Sequence, residues 1–283
     1  MAPAVAERAG VIHAVAPGRV DELAGTLLAT VGDDEQLVAL GGGRVIDTAK
    51  AIAAARPPGQ RPRVAAIPTT LSAAEMTTGH RRAAGADGSL PGIRPALVVN
   101  DPALSASQPP VELAASAANA LAHAVEGPAT TSSSPLPALA GGEAARLIGT
   151  AYDGAADEPD RSMLALAALL SGYAIDSAGY GLHHVLAQTL ARIAGVGHGR
   201  SNAVMLPHTL VALERRGASG AAANVALATD LARRAQATSL AALGVDEQAL
   251  DACADAAAKR ADLDLIPPRP DRDELRALYA AAF

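Results

Sequence analysis

Residues 37–53 read LVALGGGRVIDTAKAIA, passing from a β-like apolar run through Gly41, Gly42 and Gly43 into a helical pattern. That junction constrains the fold most, because strands that alternate with helices build βαβ units and a parallel sheet. The flanking segments repeat the alternation. VIHAVA (11–16) reads as a strand, Val20–Leu28 as a helix, QLVAL (36–40) as a strand, the residues from Val45 as a helix, and VAAIP (64–68) and ALVVN (96–100) as strands. After Pro109–Pro110 the pattern is almost wholly helical, with breaks at TTSSSP (130–135), around Asp153–Asp160 and near Arg216–Gly220. PPRP (267–270) precedes a last short helix, Asp273–Ala282, expected to dock on the surface of the second part. The fold expected is an α/β parallel-sheet layer over residues 1–105, followed by an all-helical domain over 106–283.

Half of the 283 residues are apolar, yet the chain has one Phe, four Tyr and no Trp, so its core must be built from Ala, Leu, Val and Ile. Such a core favours closely packed helices. A net charge of −6 without basic clusters argues against a nucleic-acid footprint and against an anionic membrane surface, and leaves small molecules as the expected partners. The single cysteine, Cys253, cannot form an intramolecular disulfide. The start MAPAVAERAG carries Glu7 and Arg8 where a secretory signal needs an unbroken apolar stretch, so a cytoplasmic protein is expected. No apolar run approaches the ~20 residues that span a bilayer.

Glycines let a backbone approach a ligand, and the N–H groups at a helix start attract an anion such as a pyrophosphate. Gly41–Gly43 offer that arrangement, and they equally suit a tight strand-to-helix turn with no ligand. IPTTLSAAEMT (67–77) follows the next strand and brings Thr69 and Thr70 to the same carboxyl edge of the sheet, where open α/β sheets bind ligands.

A second region, GLHHVLAQTLARIAGVGHGRSNAVMLPH (181–208), holds His184 and Gln188 four apart, and His198 beyond a glycine-flanked turn. With His123 from ANALAHAVEG (118–127) three imidazoles can converge, enough to hold a divalent metal with an open position. A lone His on an apolar helix is also an ordinary hydrogen-bonded core residue. Asn119 stands four residues before His123, where a carboxylate is the usual companion. Glu126, three after His123, either orients it or is an exposed helix acid. His183, His208, His80 and His13 read as structural or solvent-facing.

GGGRVIDTAK, PTTLSAAEMT, NDPAL, NALAHAVEG and the HHVLAQTL…GVGHGRSNAVMLPH block stand in the order found in the iron-containing alcohol dehydrogenase superfamily, and the chain most resembles its maleylacetate reductase branch. The resemblance implies a dehydroquinate synthase-like, iron-containing alcohol dehydrogenase-like fold whose first layer is an incomplete Rossmann-like one, with hydride transfer between NAD(P)H and a carbonyl in the cleft between the two domains. It implies that Gly41, Gly42 and Gly43 hold the pyrophosphate, with Arg44, Asp47, Lys50, Thr69 and Thr70 also at the cofactor. His123, His184 and His198 fall on three of four positions that ligate a metal, Fe or Zn. Asn119 falls on the fourth, which is Asp in the metal-dependent members.

The departures matter too. A neutral amide at Asn119 holds a hard cation poorly but can donate a hydrogen bond to a substrate oxygen, consistent with a metal-independent site. Arg44 takes the place of a serine, Ala73 and Ala74 replace small polar and glycine residues, and Gln188 replaces a histidine that would carry protons. Relative to the family the chain begins late and lacks the first βαβ portion, so cofactor affinity should fall. Either a partner subunit supplies the missing layer, or the chain no longer needs the dinucleotide. Three functions therefore stay open: an NAD(P)H-dependent reductase of an unsaturated or oxo-carboxylic acid using His123, His184, His198 and Asn119; a cofactor-independent lyase, isomerase, dehydratase or cyclase using the same histidines; and a non-catalytic paralogue. An incomplete sheet exposes an edge, which leads us to expect a homodimer.

Overall fold

The computed structural model describes residues 3–32, 35–154 and 158–283, which fall into two compact units. Unit 1 comprises residues 1–70 and 74–101; unit 2 comprises 71–73 and 102–283.

Unit 1 contains helices α1 (Pro3–Ala6), α2 (Val20–Leu28) and α3 (Gly43–Ala54), and strands β1 (Leu37–Gly41), β2 (Val64–Pro68) and β3 (Leu97–Val98). The strands form one parallel sheet in the order β1-β2-β3, with Val38 opposite Ala65 and Ala65 opposite Leu97. Leu37 and Ala39 of β1 and Val64 and Ala66 of β2 meet Ile46, Ala49 and Ala53 of α3, which buries one face of the sheet. On the other face Val38 and Leu97 share a row and are 54% and 58% exposed. The strand expected at 11–16 does not form: Val11 and Ile12 are exposed, and an apolar run becomes a strand only where a neighbour takes its backbone groups.

Unit 2 is helical: α4 (Pro110–Ala129), α5 (Pro135–Tyr152), α6 (Arg161–Ala178), α7 (Leu182–Ile193), α8 (His198–Arg215), α9 (Val225–Arg234), α10 (Ala249–Ala257) and α11 (Arg272–Ala281). Helix α4 runs through the middle, buried from Leu113 to Gly127 apart from the half-buried Ser116. Its alanines allow close neighbours, and Gly141 of α5 sets the approach: a Cβ there would lie 2.4 Å from the Ala124 carbonyl oxygen. Asp160 caps α6 by accepting from the N–H groups of Ser162 and Met163. The last helix does more than dock on a surface. Its Leu275 and Tyr279 are fully buried, and the Tyr279 hydroxyl donates to the Leu186 carbonyl over 2.9 Å. Among the described residues no single helix is long and apolar enough to cross a membrane.

Candidate active site

In unit 1 the glycine turn adopts a conformation that side chains resist. Gly41 has φ of +156°, and a Cβ on it would meet Val45 Cγ2 at 2.6 Å. Gly42 precedes α3 as its N-cap, and a Cβ there would lie 2.9 Å from Thr70 Cγ2. Thr69 N–H donates to the Gly41 carbonyl over 3.0 Å, so the two loops expected at one sheet edge are tied to each other. Thr70 Oγ1 is buried with no hydrogen-bond partner among the described residues, and Arg44 is exposed on the first turn of α3. An α-helix N-terminus, a glycine cradle and an unpaired hydroxyl fit a pyrophosphate.

Lys50 turns inward, and Asp47 accepts from it. Lys50 is fully buried, and its ammonium donates to Asp47 Oδ1 (2.8 Å), the carbonyls of Ala74 (2.9 Å) and Gly79 (3.0 Å), and Thr77 Oγ1 (3.4 Å). It braces the second loop from inside. In that loop Ala73 sits at φ of +62°, a region that favours glycine, and Glu75 is buried with Oε2 unpaired among the described residues. Burial pushes the Glu75 carboxyl up to about 7, against the pull of Lys50.

In unit 2, helical spacing sets Asn119, His123 and Glu126 within two turns of α4, all buried. Helix α7 begins at Leu182 and carries His183 and His184 in its first turn. The imidazoles of His123 and His184 stack with centroids 4.6 Å apart, and Tyr180, just before α7, lays its ring 4.9 Å from His184 and 6.4 Å from His123.

Glu126 orients His184, not His123, and it is not an exposed acid. Its Oε2 accepts from His184 Nδ1 over 2.5 Å, while the carboxylate also accepts from the backbone N–H groups of His183 and His184. Gly181, the N-cap of α7, has no side chain to cap the helix, and Glu126 supplies that cap from α4. Burial raises the Glu126 carboxyl, with His183 and the backbone donors pulling it back. Burial holds His123 well below the usual imidazole value and lowers His183 and His184 to about 3. These rings are neutral, and His184, with its proton on Nδ1, presents Nε2 as a lone pair. Asn119 Oδ1, His123 Nδ1 and His184 Nε2 are all buried without a hydrogen-bond partner among the described residues.

His198 is among the charges that lower His123, His183 and His184. It is exposed at the start of α8, and its Nε2 lies 3.2 Å from Asn202 Nδ2. Gln188 is held by Arg260, whose Nη1 and Nη2 donate to its Oε1 over 3.3 and 3.2 Å. The three-histidine metal set implied by the resemblance is not assembled: among the described residues no group of three or more His, Cys, Asp or Glu is placed to hold a metal ion. Imidazole lone pairs lie in the ring plane, and two rings 8° from parallel aim theirs side by side rather than at one point. With a neutral amide at Asn119, these residues do not fit a metal.

Thr209, Asn202 and Tyr180 escaped the reading of the sequence, whereas His183, expected to be structural or solvent-facing, is buried with both ring nitrogens engaged. The four-residue spacing of His198 and Asn202 is a signal that points to Asn202.

A model of the Fe-containing alcohol dehydrogenase family, C-terminal, matches residues 113–283. Maleylacetate reductase of Burkholderia cepacia is 32% identical over 270 residues, covering 87% of this chain and 73% of that protein. Maleylacetate reductase 2 of Cupriavidus pinatubonensis is 34% identical over 187 residues, covering 62% of this chain, which spans half of that relative's length. The crystal structure of maleylacetate reductase from Agrobacterium tumefaciens superposes with a TM-score of 0.82 at 29% identity, over 99% of this chain and 85% of that one. The buried histidines of α4 and α7 lie within the matched residues, and the chain belongs to the Fe-containing alcohol dehydrogenase family, alongside its maleylacetate reductases.

Proposed function

We propose that this chain is a nicotinamide-dependent reductase of an oxo- or unsaturated carboxylic acid of the maleylacetate type. The observation that carries the reading is the set of unpaired buried atoms around the Glu126–His184 pair: Asn119 Oδ1, His123 Nδ1 and His184 Nε2. Each such atom costs about 1–3 kcal/mol unless something bonds to it, and a polar guest does so.

In unit 1, Gly41–Gly43, Arg44 and Thr70 would hold NAD(P)H, which supplies the hydride when bound. The side chains of unit 2 do the rest. Asn119 Oδ1 accepts from a substrate hydroxyl and keeps it oriented. His184 Nε2 accepts the proton of a bound hydroxyl in the oxidative direction; in the reductive direction the ring, neutral at rest, first takes up a solvent proton on Nε2 and then passes it to the alkoxide. Glu126 makes that exchange feasible, because its carboxylate fixes the Nδ1–H tautomer and stabilises the imidazolium when it forms. The hydrophobic residues around both rings exclude water from the exchange.

The test is oxidation of NADH and NADPH, followed by absorbance, with maleylacetate and a panel of oxo-acids. Turnover with a carboxylate-bearing substrate supports the reading; no nucleotide binding at millimolar concentration overturns it. The Glu126–His184 pair alone can move protons, so a cofactor-independent isomerase or lyase is the second reading.

A further inference from the structure

Gln188 is half-buried on α7, four residues after the buried His184. Residues four apart share one face of a helix with Cβ atoms roughly 5–6 Å apart, and a helical side chain leans back over the turn before it. The Gln188 amide therefore lies over the turn that carries His184. His184 Nε2 is the lone pair that the Glu126 contact leaves open, and an oxygen seated at it is within reach of that amide.

Arg260 decides how the amide is turned. Its Nη1 and Nη2 lie 3.3 and 3.2 Å from a single atom of Gln188, and its Nε donates to Asp262 Oδ2 over 3.0 Å. A guanidinium has donors and no acceptor, so the shared Gln188 atom is the carbonyl oxygen. Turning the amide over would press its NH2 group against two N–H groups. The Gln188 NH2 group is thus directed away from Arg260, and it has no hydrogen-bond partner among the described residues.

That direction matters for a ketone. Asn119 Oδ1 and His184 Nε2 both accept, which suits the hydroxyl of the reduced product and not a carbonyl oxygen, itself an acceptor. The carbonyl needs an N–H, and needs it more as charge builds on the oxygen.

We infer that Gln188 is a catalytic residue whose amide N–H binds the substrate's carbonyl oxygen beside His184 Nε2, and that Arg260 is the positioning residue that aims it. The hydride step rests on the reductase reading; the direction of the amide rests on hydrogen-bond chemistry alone. When the carbonyl carbon accepts a hydride and NAD(P)+ is left, the C=O electron pair moves onto oxygen. The Gln188 N–H stabilises that charge until the proton arrives from His184.

The experiment uses the full chain and two probes. One is 4-oxopentanoate labelled with 13C at its ketone, added without nucleotide and read by its infrared carbonyl band. The other is maleylacetate turnover with NADH and NADPH, read as kcat and KM. Gln188→Glu keeps the size and the Arg260 contact but offers a second acceptor in place of the NH2 group. In it the bound ketone band should move to higher frequency or be lost, and kcat should fall about a hundredfold. Arg260→Met frees the amide to turn and should lower kcat about tenfold or more with little change in KM. In a Gln188→Ala background the same Arg260→Met change should cost nothing further, whereas a purely structural arginine would lower kcat in both backgrounds alike. An unshifted band and an unchanged kcat in Gln188→Glu overturn the inference and leave the reductase reading in place. So does an Arg260→Met loss that persists behind Gln188→Ala. A wild type whose ketone band responds to Gln188→Glu but which turns over no substrate sinks the reductase reading and leaves Gln188 as the group that binds the carbonyl.

Discussion

His123 and His184, from helices far apart in sequence, stack with ring planes 8° apart and centroids 4.6 Å apart. Two imidazoles in that contact, both buried, cannot both take a proton, because each imidazolium would face the other without solvent between them.

Acid should therefore unfold unit 2 earlier than its helices alone would suggest. His183 and His184 have folded values of about 3 against 6.5 for an ordinary imidazole, and His123 is lowered as well. A lowered histidine favours the fold above pH 6.5 and loses that advantage as pH falls, because the unfolded chain binds the proton first. By pH 5 the loss is roughly 2 kcal/mol for each ring. Chemical denaturation of Glu75→Gln, which lacks the buried carboxyl that titrates over the same range with the opposite sign, should show by circular dichroism at pH 7.5, 6 and 5 a stability that falls steadily. A flat profile between pH 6.5 and 5 would contradict the burial of neutral rings.

Glu126→Gln should damage both the fold and the chemistry. The carboxylate accepts from His184 Nδ1 and from two backbone N–H groups at the start of α7; an amide presents one oxygen and turns its NH2 toward donors. The expected loss is about 1–3 kcal/mol of stability, with a fall in kcat of at least about a hundredfold as His184 loses its fixed tautomer. Glu126→Asp, which keeps the charge but shortens the reach, should recover part of the stability and little of the rate. Equal recovery of both in the Asp variant would show that the pair is structural only.

The parts of this architecture that were legible in the sequence are those where local pattern and tertiary context agree. Strands 37–41 and 64–68 and the glycine turn announce themselves because apolar alternation and conformational need coincide. The breaks that part α4 from α5, α5 from α6 and α7 from α8 are readable, but the one at 179–181 between α6 and α7 is not. The run at 11–16 misleads because strand formation is decided by a partner the pattern does not mention. Lys50 misleads in the opposite way: placed next to a phosphate-like loop, its charge suggests a ligand, and only the fold shows three loop oxygens and Asp47 taking its donors. The doublet His183–His184 reads as one ligand and one bystander, yet both rings are engaged, and which partners they find depends on α4 and α8 crossing beside them.

Glu75 gives unit 1 a pH dependence of opposite sign. Its carboxyl is raised from 4.5 to about 7 by burial, so the unfolded chain ionises first as pH rises. Stability should fall between pH 4.5 and pH 7 and stay lowered above it, by about 3 kcal/mol at most. Glu75→Gln removes the group and should leave unit 1 more stable than the wild type at pH 8 and little changed at pH 4.5. The measurement is hydrogen exchange of the β1 and β2 amides in both proteins at the two pH values. Lower protection in the variant at pH 8 would mean that the Lys50 charge compensates Glu75 more fully than its unpaired Oε2 indicates.

The tightness of the glycine turn can be tested by making room for what is forbidden. Gly42 has φ of −79° and ψ of −175°, a conformation any residue adopts, so an alanine there is opposed by space and not by backbone strain. The obstruction is Thr70 Cγ2, 2.9 Å from where the new Cβ would sit, with Thr70 Oγ1 at 3.2 Å. Gly42→Ala alone should cost about 1–3 kcal/mol, the usual range for overpacking, and should weaken NADPH binding measured by nicotinamide fluorescence. Thr70→Ser deletes Cγ2 while keeping the hydroxyl that would meet the pyrophosphate. Placed behind Gly42→Ala, it should return most of the stability and a good part of the affinity. If the double variant is as weak in binding as Gly42→Ala yet fully stable, the methyl at position 42 collides with the nucleotide itself, which places the pyrophosphate directly against the turn. If the double variant recovers neither, the Gly42–Thr70 contact is not what the turn depends on.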